Sequence, residues 1–135
     1  MPEQETLRRA ENDEREGKSP STQAGEFVRE EIHHIRQGKH GAKSAKQAIA
    51  IGLSKARRAG VDLTPPKKGR ASAKTRKSAE RDYARGHSRK KKATSSSSKR
   101  SRSGLAVLKR EPRSAASHKA LSRQARSAAR KRNAA

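Results

Sequence analysis

The chain has 135 residues and a formal net charge of +23, with no cysteine or tryptophan, one phenylalanine and one tyrosine. Leu, Ile, Val and Phe together number 14, about a tenth of the chain and well below the roughly 20% under which strongly charged chains tend to stay disordered. This excludes a disulfide framework, a thiolate metal site and a catalytic thiol. It also leaves no apolar run near the roughly 18 residues of a membrane span and no signal-peptide core at the charged N-terminus. The expectation is a soluble, cytoplasmic, non-enzymatic protein.

Residues 1–31 hold nine acids and five bases, whereas residues 32–135 hold 31 Lys and Arg against four acids. Such a chain repels itself unless a polyanion neutralises it, and nucleic acid is the commonest partner of so basic a tail. Residues 1–18 read as an acidic arm, disordered or transiently helical. Helix formers dominate there, but the sequence offers no face to bury.

Residues 19–63 read as an αα-hairpin and contain nine of the 14 large apolar residues, between Phe27 and Leu63. Ser19-Pro20 is an N-cap followed by proline at the first helical position. Ala24, Val28, Ile32 and Ile35 then recur on one helical face, and Gly38 and Gly41 bracket the stop. Ser44 and Gln47 have capping-box spacing and start the second helix. Ala45, Ala48, Ile49, Gly52, Leu53 and Ala56 form its narrow face, and Gly60 is a C′ stop that brings Val61 to Ala56. Val28, Ile32, Ile35, Ile49 and Leu53 form an apolar seam too small to stabilise two helices alone, so a homodimer through the hairpin is expected.

The second helix, Lys46-Gln47-Ala48-Ile49-Ala50-Ile51-Gly52-Leu53-Ser54-Lys55-Ala56-Arg57-Arg58-Ala59-Gly60, resembles the signature of a family of small basic bacterial proteins of unknown function. Its members carry a first helix ending near a His-x-x-x-Gly-Lys-type stretch, matched here by His33, His34, Gly38, Lys39, His40 and Gly41, and then this KQAIAI-L-S-ARRAG helix. The resemblance covers about residues 22–61. It implies a bacterial, cytoplasmic setting and the DNA-binding role often presumed for such proteins. The family brings no established catalytic or binding residues.

Residues 64–112 read as a basic Ser/Lys-rich linker, with a candidate helix over 71–85 and a small apolar island at Leu105, Val107 and Leu108. Residues 113–135 read as a basic Ala-rich helix. On a helical wheel Lys119, Arg123, Arg126 and Arg130 fall within about 60° of each other, with Leu121, Ala125 and Ala128 opposite. The expected fold is therefore mostly α: a short αα-hairpin, then a largely disordered basic tail with a C-terminal amphipathic basic helix.

The four-residue stripe has a physical use. Its members lie about 5–6 Å apart on the helix surface, which suits contact with successive phosphates. The candidate nucleic-acid-binding residues are Lys67, Lys68, Arg70, Arg89, Lys90, Lys91, Lys92, Lys99, Arg100, Arg102, Lys119, Arg123, Arg126 and Arg130. Base readout needs a recognition helix on a packed scaffold. The second hairpin helix shows Lys46, Gln47, Ala50, Ser54, Lys55, Arg57 and Arg58 to a major groove, but no third helix is evident to complete a core. Phe27 and Tyr83 form no stacking platform for single strands.

Glu30 and His34 share a helix face, with His40 in the loop beyond, but no zinc spacing is present. His33 and His34 read as complements to the helix dipole, with no metal or cofactor. No catalytic constellation, pocket or small-molecule substrate is indicated. The expected function is histone-like, sequence-independent neutralisation of duplex DNA phosphates in a bacterial nucleoid. The alternatives are an RNA- or ribosome-associated basic protein, or a protein-interaction module whose basic tail localises it. A membrane-surface role ranks last, because Ala and one Leu back the stripe in place of bulky apolar anchors.

Overall fold

The computed structural model describes residues 2–88 and 96–134, so Arg89, Lys90, Lys91 and Lys92 lie outside the described residues. The described chain is helical throughout: α1 (Gln4–Arg15), α2 (Pro20–Arg36), α3 (Ala45–Arg58), α4 (Ala73–Gly86), α5 (Ser96–Arg110), a 3-10 turn (Arg113–Ala116) and α6 (His118–Ala134). It forms two compact units. The first is Met1–Glu30 with Ile51–Lys92, the second Glu31–Ala50 with Ala93–Ala135, so α2 and α3 contribute residues to both.

This corrects the expectation of a largely disordered basic tail. Residues 73–86, 96–110 and 118–134 are helical, including the stretch 96–103 of the low-complexity linker. Part of the reason lies in alanine, which the sum over Leu, Ile, Val and Phe leaves out: Ala79 of α4 and Ala115 and Ala116 ahead of α6 are buried. Among the described residues nine of the twelve buried apolar side chains are alanine: Ala10, Ala24, Ala42, Ala45, Ala48, Ala56, Ala79, Ala115 and Ala116. Alanine loses no side-chain entropy in a helix, and its small side chain lets helices approach closely enough to exclude water.

The first unit is built around Phe27 of α2, which packs with Ala24, with Ala56 of α3, with Val61 and with Ala10 of α1. Leu7, Leu53 and Leu63 close over this cluster. Burying a phenylalanine side chain is worth about 1.5–3 kcal/mol. The N-terminal segment therefore does have a face to bury: Thr6, Ala10 and Asp13 of α1 are all buried. The backbone amide of Glu3 donates to Glu30 Oε1 at 2.6 Å, and Lys18 Nζ lies 3.1 Å from Asp13 Oδ1.

Helix α3 ends as its sequence suggests. Gly60 has φ +101°, a left-handed conformation that only glycine adopts without cost. Its amide donates to Arg57 O at 3.1 Å, and Val61 N–H donates to Ala56 O at 3.1 Å, the paired bonds of a Schellman turn. Helix α4, the candidate helix of residues 71–85, packs on α3 as a third helix, a contact that the sequence did not reveal. Ser72 caps it, accepting from Thr75 N–H at 3.2 Å. Ser54 Oγ donates to Asp82 Oδ2 at 2.6 Å, and Tyr83 Oη donates to Asp62 Oδ1 at 2.5 Å.

The second unit centres on Ile35, fully buried among Ala42, Ala48, Ala115 and Ala116, with Ile32 against them. Backbone bonds fasten the loop after α2 to the end of α5: Gly41 N–H donates to Leu108 O at 2.7 Å, and Ala42 N–H to Pro112 O at 3.1 Å. Arg36 Nε donates to Ala116 O at 3.0 Å, and Arg113 Nη2 donates to Arg36 O. These two arginines hold the 3-10 turn against α2.

Candidate nucleic-acid interface

Helix α6 starts at His118 because Ser117 caps it: Ala120 N–H donates to Ser117 Oγ at 3.1 Å, and Leu121 N–H to Ser117 O at 3.0 Å. Ala120, Gln124, Ser127 and Ala128 are half-buried on its inner side. Lys119, Arg123, Arg126 and Arg130 lie along the flank, and all four are exposed. The wheel geometry sets this arrangement, since the stripe sits roughly a third of a turn or more from the covered side.

An open cleft of about 470 Å³ runs along the base of this stripe. Lys119 and Arg123 of α6 line one side, and Lys43 and Ser44 line the other. Ala45 and Ala115 lie among the lining residues, together with the hydroxyls of Ser114, Ser117 and Ser127. Among the described residues no carboxylate lines it. Ser44 caps α3, accepting from Gln47 N–H at 3.2 Å, while Gln47 Oε1 accepts from Lys43 N–H at 2.6 Å. The residues that begin α3 and α6 therefore both open on the cleft, and the positive ends of their dipoles add to three cationic side chains. Chemically the arrangement suits an anion with several oxygen acceptors, such as a phosphate of a polymer backbone.

The other predicted site residues fall elsewhere. Lys67, Lys68 and Arg70 are exposed in the first unit. They sit on a turn closed by Arg70 N–H donating to Lys67 O at 3.0 Å. Arg102 is exposed on α5, whereas Lys99 and Arg100 fall on its backbone without a described side chain. Arg89, Lys90, Lys91 and Lys92 lie outside the described residues. The hairpin seam is not an open face: Ile35 is fully buried, and Val28, Ile32, Ile49 and Leu53 are half-buried.

Part of the α3 surface weighed for base readout is taken up, while Lys46, Ala50 and Arg58 are exposed. Arg57 is buried, with Nε donating to Leu63 O at 3.2 Å. Burial pushes its guanidinium below the ordinary arginine value, opposed by the charge of Asp82. Ser54 is bonded to Asp82, and Arg58 Nε lies 3.9 Å from Asp82 Oδ1. Lys43 is the cleft residue that the sequence reading missed. Its signal was faint, a lysine directly before a capped helix start, and only packing of the 3-10 turn brings it near Lys119.

No curated protein and no solved structure matches the chain. A family of unknown function (DUF6496) matches residues 17–68, a stretch similar to that family which takes in Lys43 and ends before Lys119 and Arg123.

Proposed function

We propose that the protein is a non-enzymatic, histone-like DNA-binding protein that neutralises duplex phosphates without reading sequence, in a bacterial nucleoid. The observation that carries this reading is the exposed stripe of Lys119, Arg123, Arg126 and Arg130 beside a cleft with three cations and, among the described residues, no carboxylate. Supporting it, Ser54 and Arg57 of α3 are engaged within the protein, which removes two of the side chains suited to base contact, while Lys46 and Arg58 stay exposed. Lys67, Lys68 and Arg70 of the first unit and Arg102 of the second are further exposed cations, and the basic residues 89–92 and 99–100 add to the charge of the chain.

The test is the salt dependence of binding to unrelated duplexes. Each neutralised phosphate contributes about −0.9 to the log–log slope, so roughly ten contacts give about −9. Replacing the four stripe residues by Ala should flatten the slope by up to about 4 units and weaken binding equally on every sequence. Structured RNA as competitor separates the RNA-associated alternative: stronger competition by RNA than by duplex DNA would favour it. A flat salt response in the intact protein would remove polyanion binding as its function.

A further inference from the structure

The residues at the C-terminal end of α2 form a second constellation, unrelated to the cationic cleft. Helix α2 ends at Gly38, where Gly38 N–H donates to Ile35 O and Lys39 N–H donates to His34 O, both at 3.0 Å. This Schellman turn reverses the chain and carries His40 back over the last turns of the helix. Glu31 and His34 sit one turn apart there, at i and i+3. The result is a group of three potential ligands, Glu31, His34 and His40, whose ligand atoms all lie within 4.8 Å of one another.

The chemistry of the pair at its centre is informative. His40 Nδ1 lies 3.0 Å from Gly41 O. A carbonyl only accepts, so Nδ1 carries the hydrogen and Nε2 is the nitrogen directed at Glu31. His40 Nε2 is 3.1 Å from Glu31 Oε2. Glu31 is fully buried and His40 nearly so, at 0% and 8% exposure. Both groups are buried, so a cation bound between them is held out of water, where its attraction to the carboxylate is strongest. His34, half-buried with its ring centroid 6.3 Å from that of His40 at an edge-to-face angle of 80°, adds a third donor to the same point.

We propose that Glu31, His34 and His40 bind a zinc ion. Two imidazoles and one carboxylate make a familiar zinc donor set with one coordination position left open. Ligand atoms about 2.0–2.2 Å from a tetrahedral metal are roughly 3.3–3.5 Å apart. The 3.1 Å Glu31–His40 separation is near that value, and the others, all within 4.8 Å, need to close by at most about 1.5 Å. The Nδ1–H bond to Gly41 O is the outer contact that fixes the tautomer of a metal-binding histidine. The loop carrying His40 is itself held by Gly41 N–H on Leu108 O, and a side chain at Gly41 would overlap the backbone carbonyl of Glu111. Zinc would thereby fix the same loop against which the end of α5 docks.

The full chain, stripped with chelator, is titrated with Zn²⁺ by calorimetry and with Co²⁺ by visible absorption. One ion per chain is expected, with the intense visible bands of four- or five-coordinate Co²⁺, and a raised thermal midpoint with Zn²⁺. Outer contacts of metal sites are worth about 10–100-fold in affinity, so loss of a ligand in His34→Ala or Glu31→Gln should weaken zinc by at least about 100-fold. His34 is half-buried, so its variant should keep the helical circular dichroism signal. The double variant His87→Ala/His118→Ala should bind as the parent does. The proposal is overturned if the parent binds no more zinc than His34→Ala, which would leave Glu31 and His40 as a proton-linked pair. It is equally overturned if binding is lost in the His87/His118 variant.

Discussion

Gly52 tests whether the close approach of α3 to α2 is as tight as the geometry requires. A β-carbon built there would lie 2.6 Å from Val28 Cα and 2.9 Å from Val28 N and Cγ2. Carbon–carbon contact is optimal near 3.5–4.0 Å, so Gly52→Ala forces the helices apart by about 1 Å at that point. Two effects then oppose each other. Alanine in a helix interior is favoured over glycine by about 0.8–1.0 kcal/mol, while overpacking of this kind costs about 1–3 kcal/mol. The obstacle is backbone, which cannot rotate away, and the displaced seam adjoins the cluster of Phe27, Ala24 and Ala56. The cost should win, with a net loss of up to about 2 kcal/mol. Gly25 supplies the control, because it is exposed on α2 and nothing lies within 4 Å of its built β-carbon. Gly25→Ala should gain about 0.5–1 kcal/mol from propensity alone. Urea denaturation followed by circular dichroism reads both as shifts of the midpoint at constant m. If Gly52→Ala stabilises as much as Gly25→Ala, the close approach is wrong.

Ile35→Ala should destabilise by about 2–4 kcal/mol, because its side chain is fully buried among alanines that cannot move in to fill the space. Hydrogen exchange at the Gly41 and Ala42 amides should quicken in that variant, and unchanged protection would count against the assigned core. Tyr83 is the only tyrosine, so phenolate absorbance titrates it alone. Its hydrogen bond to Asp62, with smaller contributions from burial and from the Asp62 charge, raises its pKa above the ordinary value. Asp62→Asn should bring the midpoint down towards the ordinary value, and an unmoved midpoint would dismiss the contact. The folded value lies above the unfolded one, so this contribution to stability is complete below the ordinary tyrosine pKa of about 10 and is lost as pH rises through the folded value.

What the sequence made legible is local. Ser19, Ser44 and Gly60 act through bonds to residues three to five positions away, and those spacings are written in the chain. The exposed flank of α6 follows from helical periodicity in the same way. The parts that were not legible depend on distant partners. The docking of α1 rests on Ala10 and a single leucine, which no apolar-moment argument singles out. Asp82 meets Ser54 across 28 positions, and Gly41 meets Leu108 through backbone alone. For the zinc candidates, the sequence paired Glu30 with His34 at i, i+4. What it did not reveal is that the Schellman turn at Gly38 returns His40 to Glu31, three residues before His34.

The division of labour between acids and bases bears on how the proposed function can be measured. Several acids are committed to fastening helices: Asp13 to Lys18, Glu30 to the amide of Glu3, Asp62 to Tyr83, and Asp82 to Ser54. Several arginines do the same work through carbonyls, as Arg36, Arg57 and Arg113 show. Charge used this way holds each unit together without neutralising the stripe on α6, whose cations remain exposed. Screening acts mainly on exposed charges separated by about a Debye length, roughly 8–10 Å near physiological ionic strength, and much less on short, partly buried contacts. Salt should therefore weaken the hold of α6 on a polyanion well before it loosens the fasteners within either unit. A salt slope measured on the intact protein then reports phosphate contacts at the interface, not unfolding of the scaffold that presents them.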